Sequence, residues 1–359
     1  MNQIAVIGGT HHNTLSMIRS IGIAGYHVDL FLMDKSNSYV SKSRYVKDVI
    51  IVSKEEELIP SLLKKYNRIT QKVVLITCTD AVESLLDCNY NTITNKFIFF
   101  NAGKEGLVTK NMNKQIQAEL SETIGINIPK SFEYKGSVSA ATYPCLLKPV
   151  KSINGGKHVI ICNNESELLN GLKKFSKHDV VLVQQFIKKK FEIVVLGLSI
   201  GEKVIIPGYI LKHRDFDGGT LYSTVKAIHT LDGGIVDKCK QLISKMNYEG
   251  LFGIEFINDG KDFYFIEANL RNDATTYSMA VAGVNLPQLY IQYVTTGKMP
   301  KINYEIEEIQ SIVEFNDLKH KKEFGISMFT WLTQYLNAKC KYYFNVKDPI
   351  PFFYAPFKK

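Results

Sequence analysis

The residues best suited to chemistry lie in one apolar segment, 252–273, which reads FGIEFINDGKDFYFIEANLRND. Apolar runs flank the turn-forming residues 258–260, and this pattern predicts two strands joined by a turn. Glu255 falls in the first strand. Glu267, Asn269 and Arg271 fall at alternate positions of the second, so an extended strand directs all three to one face.

The length of the turn decides whether Glu255 joins that face. A five-residue loop, 258–262, makes Glu255 and Glu267 diagonal neighbours about 7 Å apart. Two carboxylates at this spacing, with Asn269 beyond them, form an oxygen-ligand site of the kind that Mg²⁺ takes together with phosphate oxygens. The alternative is the solvated outer face of an antiparallel hairpin, where such polar residues are ordinary.

Strand-like and helical segments alternate along the first hundred residues, which predicts an α/β domain with a doubly wound parallel sheet over residues 1–105. Ligands bind such sheets at the carboxyl ends of the strands, so the loop 8–10 and the turn 77–80 are candidates. The run after the first strand lacks the G-x-G-x-x-G fingerprint. This weakens an alternative function, a nicotinamide-dependent oxidoreductase built on this domain.

Three cations are set into apolar strands further along the chain. Lys148 lies in YPCLLKPV, and a buried lone ammonium needs an anionic partner or an open cleft. Lys212 and Arg214 lie in a second such strand. The glycine-containing loop 151–157 follows the first strand; its backbone N–H groups could bind phosphates, although a plain hairpin turn uses the same glycines.

Composition narrows the class of protein. A chain of 359 residues with 45% hydrophobic and 22% charged residues predicts a soluble protein of two or three domains. The six cysteines show no zinc-binding or disulfide spacing, which favours a reducing cytoplasm. The net charge of +9 comes without a nucleic-acid-binding motif, and no apolar run is long enough for a membrane span. We therefore expect a phosphate-bearing small molecule as the anionic partner, and neither nucleic acid nor a membrane span.

Six motifs follow one another in a set order. They are a helix with Lys114, then Gly125 and Pro129, the strand with Lys148, the loop SINGG (152–156), the strand end VQQFI (183–187) with Glu192 after it, and the segment GIEF…FYFIEANLR. This order resembles the ATP-grasp superfamily of carboxylate–amine ligases over about residues 105–290. The region before it is similar to the pre-ATP-grasp domain.

The resemblance implies a two-lobed α+β ATP-grasp domain after the parallel-sheet domain. The small lobe would be 106–190 and the large lobe, with the metal site, 191–300. A basic and aromatic extension, 301–359, would pack on the large lobe. Residues 267–287 are most similar to relatives that join an amino acid to a carboxylate, D-aspartate ligases among them.

The resemblance also implies a role for each site residue. Glu255, Glu267 and Asn269 would hold one or two Mg²⁺ ions, for which Mn²⁺ could substitute. Arg271 would steady an acyl-phosphate or a substrate carboxylate, with Lys212 and Arg214 as further catalytic cations. The ATP-binding set would comprise the phosphate-binding Lys114, Lys148, Ser152, Gly155 and Gly156, the adenine-lining Gln184, Gln185 and Ile187, and the ribose-binding Glu192. Gln184 departs from the family pattern, in which many relatives carry an acidic residue, and the loop is poorer in glycine than in several relatives.

The expected function is an ATP-dependent carboxylate–amine ligase that forms an amide or peptide bond through an acyl-phosphate. Its substrates would be a small carboxylate and a small amine, an amino acid or short peptide among them, and a homodimer is left open. Positioning and charge neutralisation carry phosphoryl transfer, so no side-chain nucleophile is required. A second hypothesis is an ATP-binding sensor or subunit without turnover, because binding and catalysis use nearly the same residues.

Overall fold

The computed structural model describes residues 3–36, 38–149, 159–176, 180–302 and 304–355. It confirms an α/β chain in which a parallel sheet precedes two sheets that are largely antiparallel. The first sheet has five strands in the order β3-β2-β1-β4-β5. They are β1 (Ile4–Gly8), β2 (Val28–Leu32), β3 (Val46–Ile51), β4 (Val73–Thr77) and β5 (Phe97–Ile98).

The three central strands of this sheet, β1, β2 and β4, are buried along their whole length. Continuous apolar strands are typical of parallel sheets that helices cover on both faces. Strand order reverses between β1 and β4, so the loops after these strands meet at one crevice. The helices of this region are α1 (His12–Ile23), α2 (Leu58–Lys65), α3 (Asp80–Asp87) and α4 (Tyr90–Ile93).

A four-stranded antiparallel sheet in the order β6-β9-β7-β8 forms the small lobe. Its strands are β6 (Ser131–Glu133), β7 (Cys145–Pro149), β8 (Ile160–Cys162) and β9 (Val181–Gln185), and helix α7 (Glu165–Leu172) covers them. A small core of Cys145, Leu147, Cys162, Leu168, Val181 and Val183 holds this lobe together.

The large lobe is a seven-stranded sheet in the order β14-β13-β10-β11-β12-β15-β16. All its neighbouring strands are antiparallel except β15 and β16. Its strands are β10 (Phe191–Ile200), β11 (Lys203–Phe216), β12 (Gly219–Ala227), β13 (Gly250–Asn258), β14 (Phe263–Asn269), β15 (Ile309–Ile312) and β16 (Cys340–Lys341). Helix α8 (Gly233–Lys245) packs against β11.

Two short helices lead from the first domain to the small lobe, α5 (Leu107–Asn111) and α6 (Lys114–Thr123). The Asn113 side chain caps the start of α6. The Gln117 amide of α6 donates to the Ala268 carbonyl and accepts from the Ala268 N–H. Helix α6 therefore packs on β14 of the large sheet.

Two separate helices follow the β13–β14 hairpin, α9 (Thr276–Val281) and α10 (Leu286–Thr296). Gly283 adopts φ +119 between them, which L-residues with side chains rarely adopt. Asn285 then caps α10.

The C-terminal segment contains α11 (Glu314–His320), α12 (Met328–Asn337) and α13 (Ile350–Tyr354). Strands β15 and β16 of this segment extend the large sheet, and the segment also contacts the first domain. The buried Arg19 guanidinium of α1 donates to Asp348 at 2.9 Å and to the carbonyls of Tyr342 and Tyr343. The segment therefore joins the first domain to the large lobe. Within the described residues, no helix is long and apolar enough to cross a membrane.

Candidate functional site

The β13–β14 hairpin brings the two candidate carboxylates together, by a register that differs from the expected one. The turn has four residues, 259–262, because Asn258 pairs with Phe263, and a β-bulge follows between Glu255 and Phe256. A turn with an even number of residues would, by itself, place the two glutamates on opposite faces of the hairpin. The bulge returns them to the same face. Glu255 therefore lies directly opposite Glu267 instead of diagonally from it.

Lys212 on β11 connects the carboxylates of two further strands. Its ammonium lies 2.8 Å from Glu255 Oε2 on β13 and also donates to Glu192 on β10, and only 3% of its side chain is exposed. Burial opposes its charge, but the two carboxylates raise the pKa of Lys212 above its ordinary value. Lys212, which lies in an apolar strand, thus has two anionic partners.

The carboxylates outnumber the ammonium at this point. Burial raises the pKa of Glu255 to about 7; Lys212 opposes the rise, and the negative charges of Glu267 and Asp273 add to it. The pKa of Glu192 is lowered instead, because the ammoniums of Lys212 and Lys189 outweigh its burial. Excess negative charge therefore concentrates on the Glu255–Glu267 pair.

Two further cations approach this pair from other elements. Lys114, the first residue of α6, places its ammonium 2.6 Å from Glu267 Oε2 while its side chain stays largely exposed. Lys148 lies on β7 of the small lobe. Burial and the charge of Lys114 lower the pKa of Lys148, and Glu267 opposes this. Two ammoniums that repel one another beside a carboxylate form a site with room for additional negative charge.

Arg271 lies beside Asn269 at the end of the hairpin. Its guanidinium donates to Asn269 Oδ1 at 3.1 Å and to both Asp80 oxygens at 2.7 and 3.2 Å. Burial opposes its charge, but Asp80 and then Asp273 raise the pKa of Arg271. Asp80 begins α3 in the first domain, so the crevice of the parallel sheet opens directly beside the hairpin.

Arg214 lies in a buried pair away from the glutamates. Its guanidinium makes a two-pronged ion pair with the fully buried Asp317 of α11, at 2.7 and 2.8 Å, and stacks over Tyr222. Trp331 of α12 donates to the same carboxylate at 2.9 Å. Because both partners are buried, this pair anchors the C-terminal helices, and a catalytic role for Arg214 stays a prediction.

The residues expected around ATP lie at the junction of the two lobes. Gln184 and Gln185 end β9, and Ile187 beyond them is buried. The Gln185 side-chain oxygen accepts from the Lys130 N–H at 3.3 Å, so this side chain faces the segment that precedes β6. Ser152, Gly155 and Gly156 lie outside the described residues.

The oxygen atoms of this site suit a divalent cation whose coordination shell also includes oxygens of a nucleotide. Glu255 and Glu267 offer carboxylate oxygens, and the Asn269 oxygen keeps a second lone pair beyond its bond from Arg271. Across the described ranges, no three His, Cys, Asp or Glu side chains group together to hold a metal. Mg²⁺ binds proteins through one or two carboxylates together with substrate phosphates, and this arrangement matches that mode.

Three supporting residues escaped the sequence predictions. Lys189 lies in a run of three lysines, and its ammonium lies 3.1 Å from Glu192 Oε2. Gln117 fixes the backbone of β14 beside Glu267, and no local pattern marks it. Asp80 was named only as part of the 77–80 turn, and its ion pair with Arg271 spans 191 positions of the chain.

Comparison with known proteins identifies the fold. Residues 109–275 match the model of the ATP-grasp domain, the family that the motifs resemble over about residues 105–290. The carbamoyl phosphate synthase large chain of Clostridium beijerinckii is 28% identical over 206 residues, covering 53% of this chain but only 19% of that relative.

Solved structures support the same fold along most of the chain. The L-amino acid ligase from Bacillus licheniformis superposes with a TM-score of 0.66 at 16% identity, covering 87% of this chain and 80% of that one. N5-carboxyaminoimidazole synthetase from Staphylococcus aureus, complexed with ADP, gives 0.67 at 16% identity over 90% and 86%. The parallel-sheet domain and the ATP-grasp domain thus occur together in these neighbours.

Proposed function

We propose that this chain is an ATP-dependent carboxylate–amine ligase that proceeds through an acyl-phosphate. The observation that carries the proposal is the meeting of Glu255 and Glu267 on adjacent strands with Lys114, Lys148 and Lys212 around them. Paired carboxylates suit a metal ion, and the surrounding ammoniums suit phosphate oxygens. Together they suit a nucleoside triphosphate with its metal.

The proposed reaction has two steps. A carboxylate oxygen of the first substrate attacks the γ-phosphorus of ATP, the bond to the β-phosphate oxygen breaks, and ADP leaves. The amine of the second substrate then attacks the acyl carbon, inorganic phosphate leaves with one former carboxylate oxygen, and the amine loses a proton. The products are an amide, ADP and phosphate.

The chain's own residues position and neutralise charge. Lys114 and Lys148 bind the phosphate oxygens, and this binding gives the exposed Lys114 a stronger partner than Glu267 alone. Glu192 binds the ribose hydroxyls, with its orientation fixed by Lys212 and Lys189. Lys212 also holds Glu255 in place, so it contributes both to the nucleotide site and to the metal site.

Glu255, Glu267 and Asn269 would hold Mg²⁺, which when bound neutralises charge on the transferred phosphoryl group. Arg271 binds the substrate carboxylate or the acyl-phosphate, and Asp80 holds its guanidinium towards the interdomain crevice. An amino acid or a short peptide suits this crevice, because its carboxylate pairs with Arg271. The similarity of residues 267–287 to amino-acid ligases favours the same substrate class.

Turnover with pooled substrates tests this function. Purified protein is incubated with ATP and Mg²⁺, with and without pooled amino acids and dipeptides, and ADP and phosphate are measured. We expect equal amounts of ADP and phosphate that depend on the pool, and much smaller amounts with Glu267→Gln. ATP binding without any pool-dependent turnover would instead favour a sensor.

A further inference from the structure

Helix α12 presents an unusual face to solvent. Met328, Phe329, Leu332 and Leu336 expose 57%, 81%, 47% and 67% of their surfaces. At 3.6 residues per turn these four positions fall within one arc of about 100°. The adjoining side of the helix, at Trp331, packs on the large sheet with Tyr222 and Ile312. We name the four exposed residues the α12 patch.

The surroundings of the α12 patch are cationic. Helix α12 itself carries no charged residue, and between positions 318 and 347 the sequence has six lysines and a single acid, Glu323. The Oε1 atom of Glu323 lies 2.8 Å from Nδ1 of His320. Lys321 and Lys322 follow the end of α11, and the ammonium of Lys341 lies 5.0 Å from the ring of Tyr335 on α12. The nearby acids Glu307 and Glu308 are paired with Lys339 and Lys226.

From this combination we propose that the α12 patch docks on an anionic lipid surface, with α12 lying in the membrane interface. Apolar side chains flanked by lysines are the features of helices that bind in the plane of a bilayer. Lysines near an anionic surface add electrostatic attraction to this insertion. This docking is independent of the proposed ligase activity and would bring the enzyme to a membrane without a span.

A second copy of the chain fits the patch less well. A stable interface buries about 800 Å² per partner. The four partly covered side chains offer roughly 500 Å², taking about 200 Å² for a large exposed side chain. A two-fold contact would also bring the lysine-rich flanks of both copies together, and like charges repel. An anionic surface turns the same charges into an attraction.

The experiment measures binding of the full chain to vesicles by flotation. Vesicles of phosphatidylcholine alone are compared with vesicles that also contain phosphatidylglycerol, at about 0.1 M and about 1 M salt, where the screening length falls from about 10 Å to about 3 Å. We expect binding only to the anionic vesicles, with a loss of at least several-fold at high salt. Equal binding to neutral vesicles, or no binding to either, overturns the proposal.

Variants locate the binding face. The Phe329→Ser/Leu336→Ser double variant is expected to lose about tenfold or more of the bound fraction, because each side chain inserts apolar area. Phe353→Ser, which changes an exposed aromatic residue on α13, is the matched control and is expected to bind normally. Lys321→Gln/Lys322→Gln is expected to weaken binding several-fold without altering the apolar patch. Normal binding by the first double variant contradicts the proposal.

Two further readouts separate lipid docking from self-association. Trp331 is the sole tryptophan of the chain and lies under the patch, so brominated anionic lipids are expected to quench its fluorescence. Light scattering reports the oligomeric state without vesicles. A dimer that dissociates in Phe329→Ser/Leu336→Ser, together with unquenched Trp331, would assign the patch to a second copy and overturn the lipid proposal.

Discussion

Replacement of Lys212 by methionine tests the electrostatics of the site in most detail. The substitution keeps the apolar stem but removes the ammonium that bridges Glu192 and Glu255. Glu192 keeps Lys189 at 3.1 Å, whereas Glu255 loses its cationic partner and still faces Glu267. Removing one partner of a buried ion pair costs about 3–5 kcal/mol of stability. We expect the low end, about 3 kcal/mol near pH 8, because Glu255 can take up a proton.

The pH dependence of this loss follows from the raised pKa of Glu255, about 7 in the native protein. The folded state holds this proton more tightly than the unfolded chain does, so the contribution of Glu255 is present at low pH and declines as pH rises through the folded pKa. Lys212→Met raises that pKa further. The destabilisation relative to the native protein is therefore roughly 1 kcal/mol smaller near pH 6 than near pH 8.

Thermal denaturation at the two pH values measures both effects, and a second substitution provides the control. Lys212→Met/Glu255→Gln replaces the stranded carboxylate by a neutral amide of the same shape, so we expect most of the stability to return while ATP turnover stays lost. A loss of stability that is equal at both pH values, or a double variant no more stable than Lys212→Met, would refute this account of the cluster.

Three further substitutions test separate parts of the site. Lys148→Ala is expected to weaken ATP binding by about tenfold or more in calorimetry, because a charge-assisted phosphate contact is lost. Lys173→Ala, which changes an exposed lysine directly after α7, is the control. Unchanged affinity in Lys148→Ala would make Lys148 a solvated lysine. Glu267→Gln is expected to keep the fold but lose most Mg²⁺-dependent turnover, and a native rate would show that the metal assignment is wrong. Arg214→Ala is expected to lower stability by about 3–5 kcal/mol and shift Trp331 fluorescence while ATP affinity stays native; a lower ATP affinity at native stability would return Arg214 to the catalytic set.

The sequence predicted the architecture well because its signals are local and repeated. Continuous apolar strands alternating with helices indicated the parallel sheet, and the order of motifs indicated the ATP-grasp domain. The cations within apolar strands also carried real information, since both Lys212 and Arg214 proved to have buried anionic partners. Their residue type could not show which partner each would find.

The features that sequence reasoning missed depend on contacts between distant parts of the chain. A bulge sets the register of the hairpin, and no residue type in the sequence indicates it. The predicted turn length was therefore wrong, although the two carboxylates do lie on the same face. Asp317 forms an ion pair with Arg214, 103 residues away in the sequence, and Asp80 pairs with Arg271, 191 residues away. Such pairings follow from how the domains pack and not from local propensity.

Oxygen transfer from a carboxylate to phosphate is the most direct test of the central claim. Pooled amino acids and dipeptides with ¹⁸O-labelled carboxylates are incubated with the protein, ATP, Mg²⁺ and pooled amines, and the released phosphate is analysed by mass spectrometry. An acyl-phosphate ligase transfers one labelled oxygen to each phosphate formed alongside ADP. ATP consumption that yields only unlabelled phosphate, or that yields AMP, would contradict the proposed reaction.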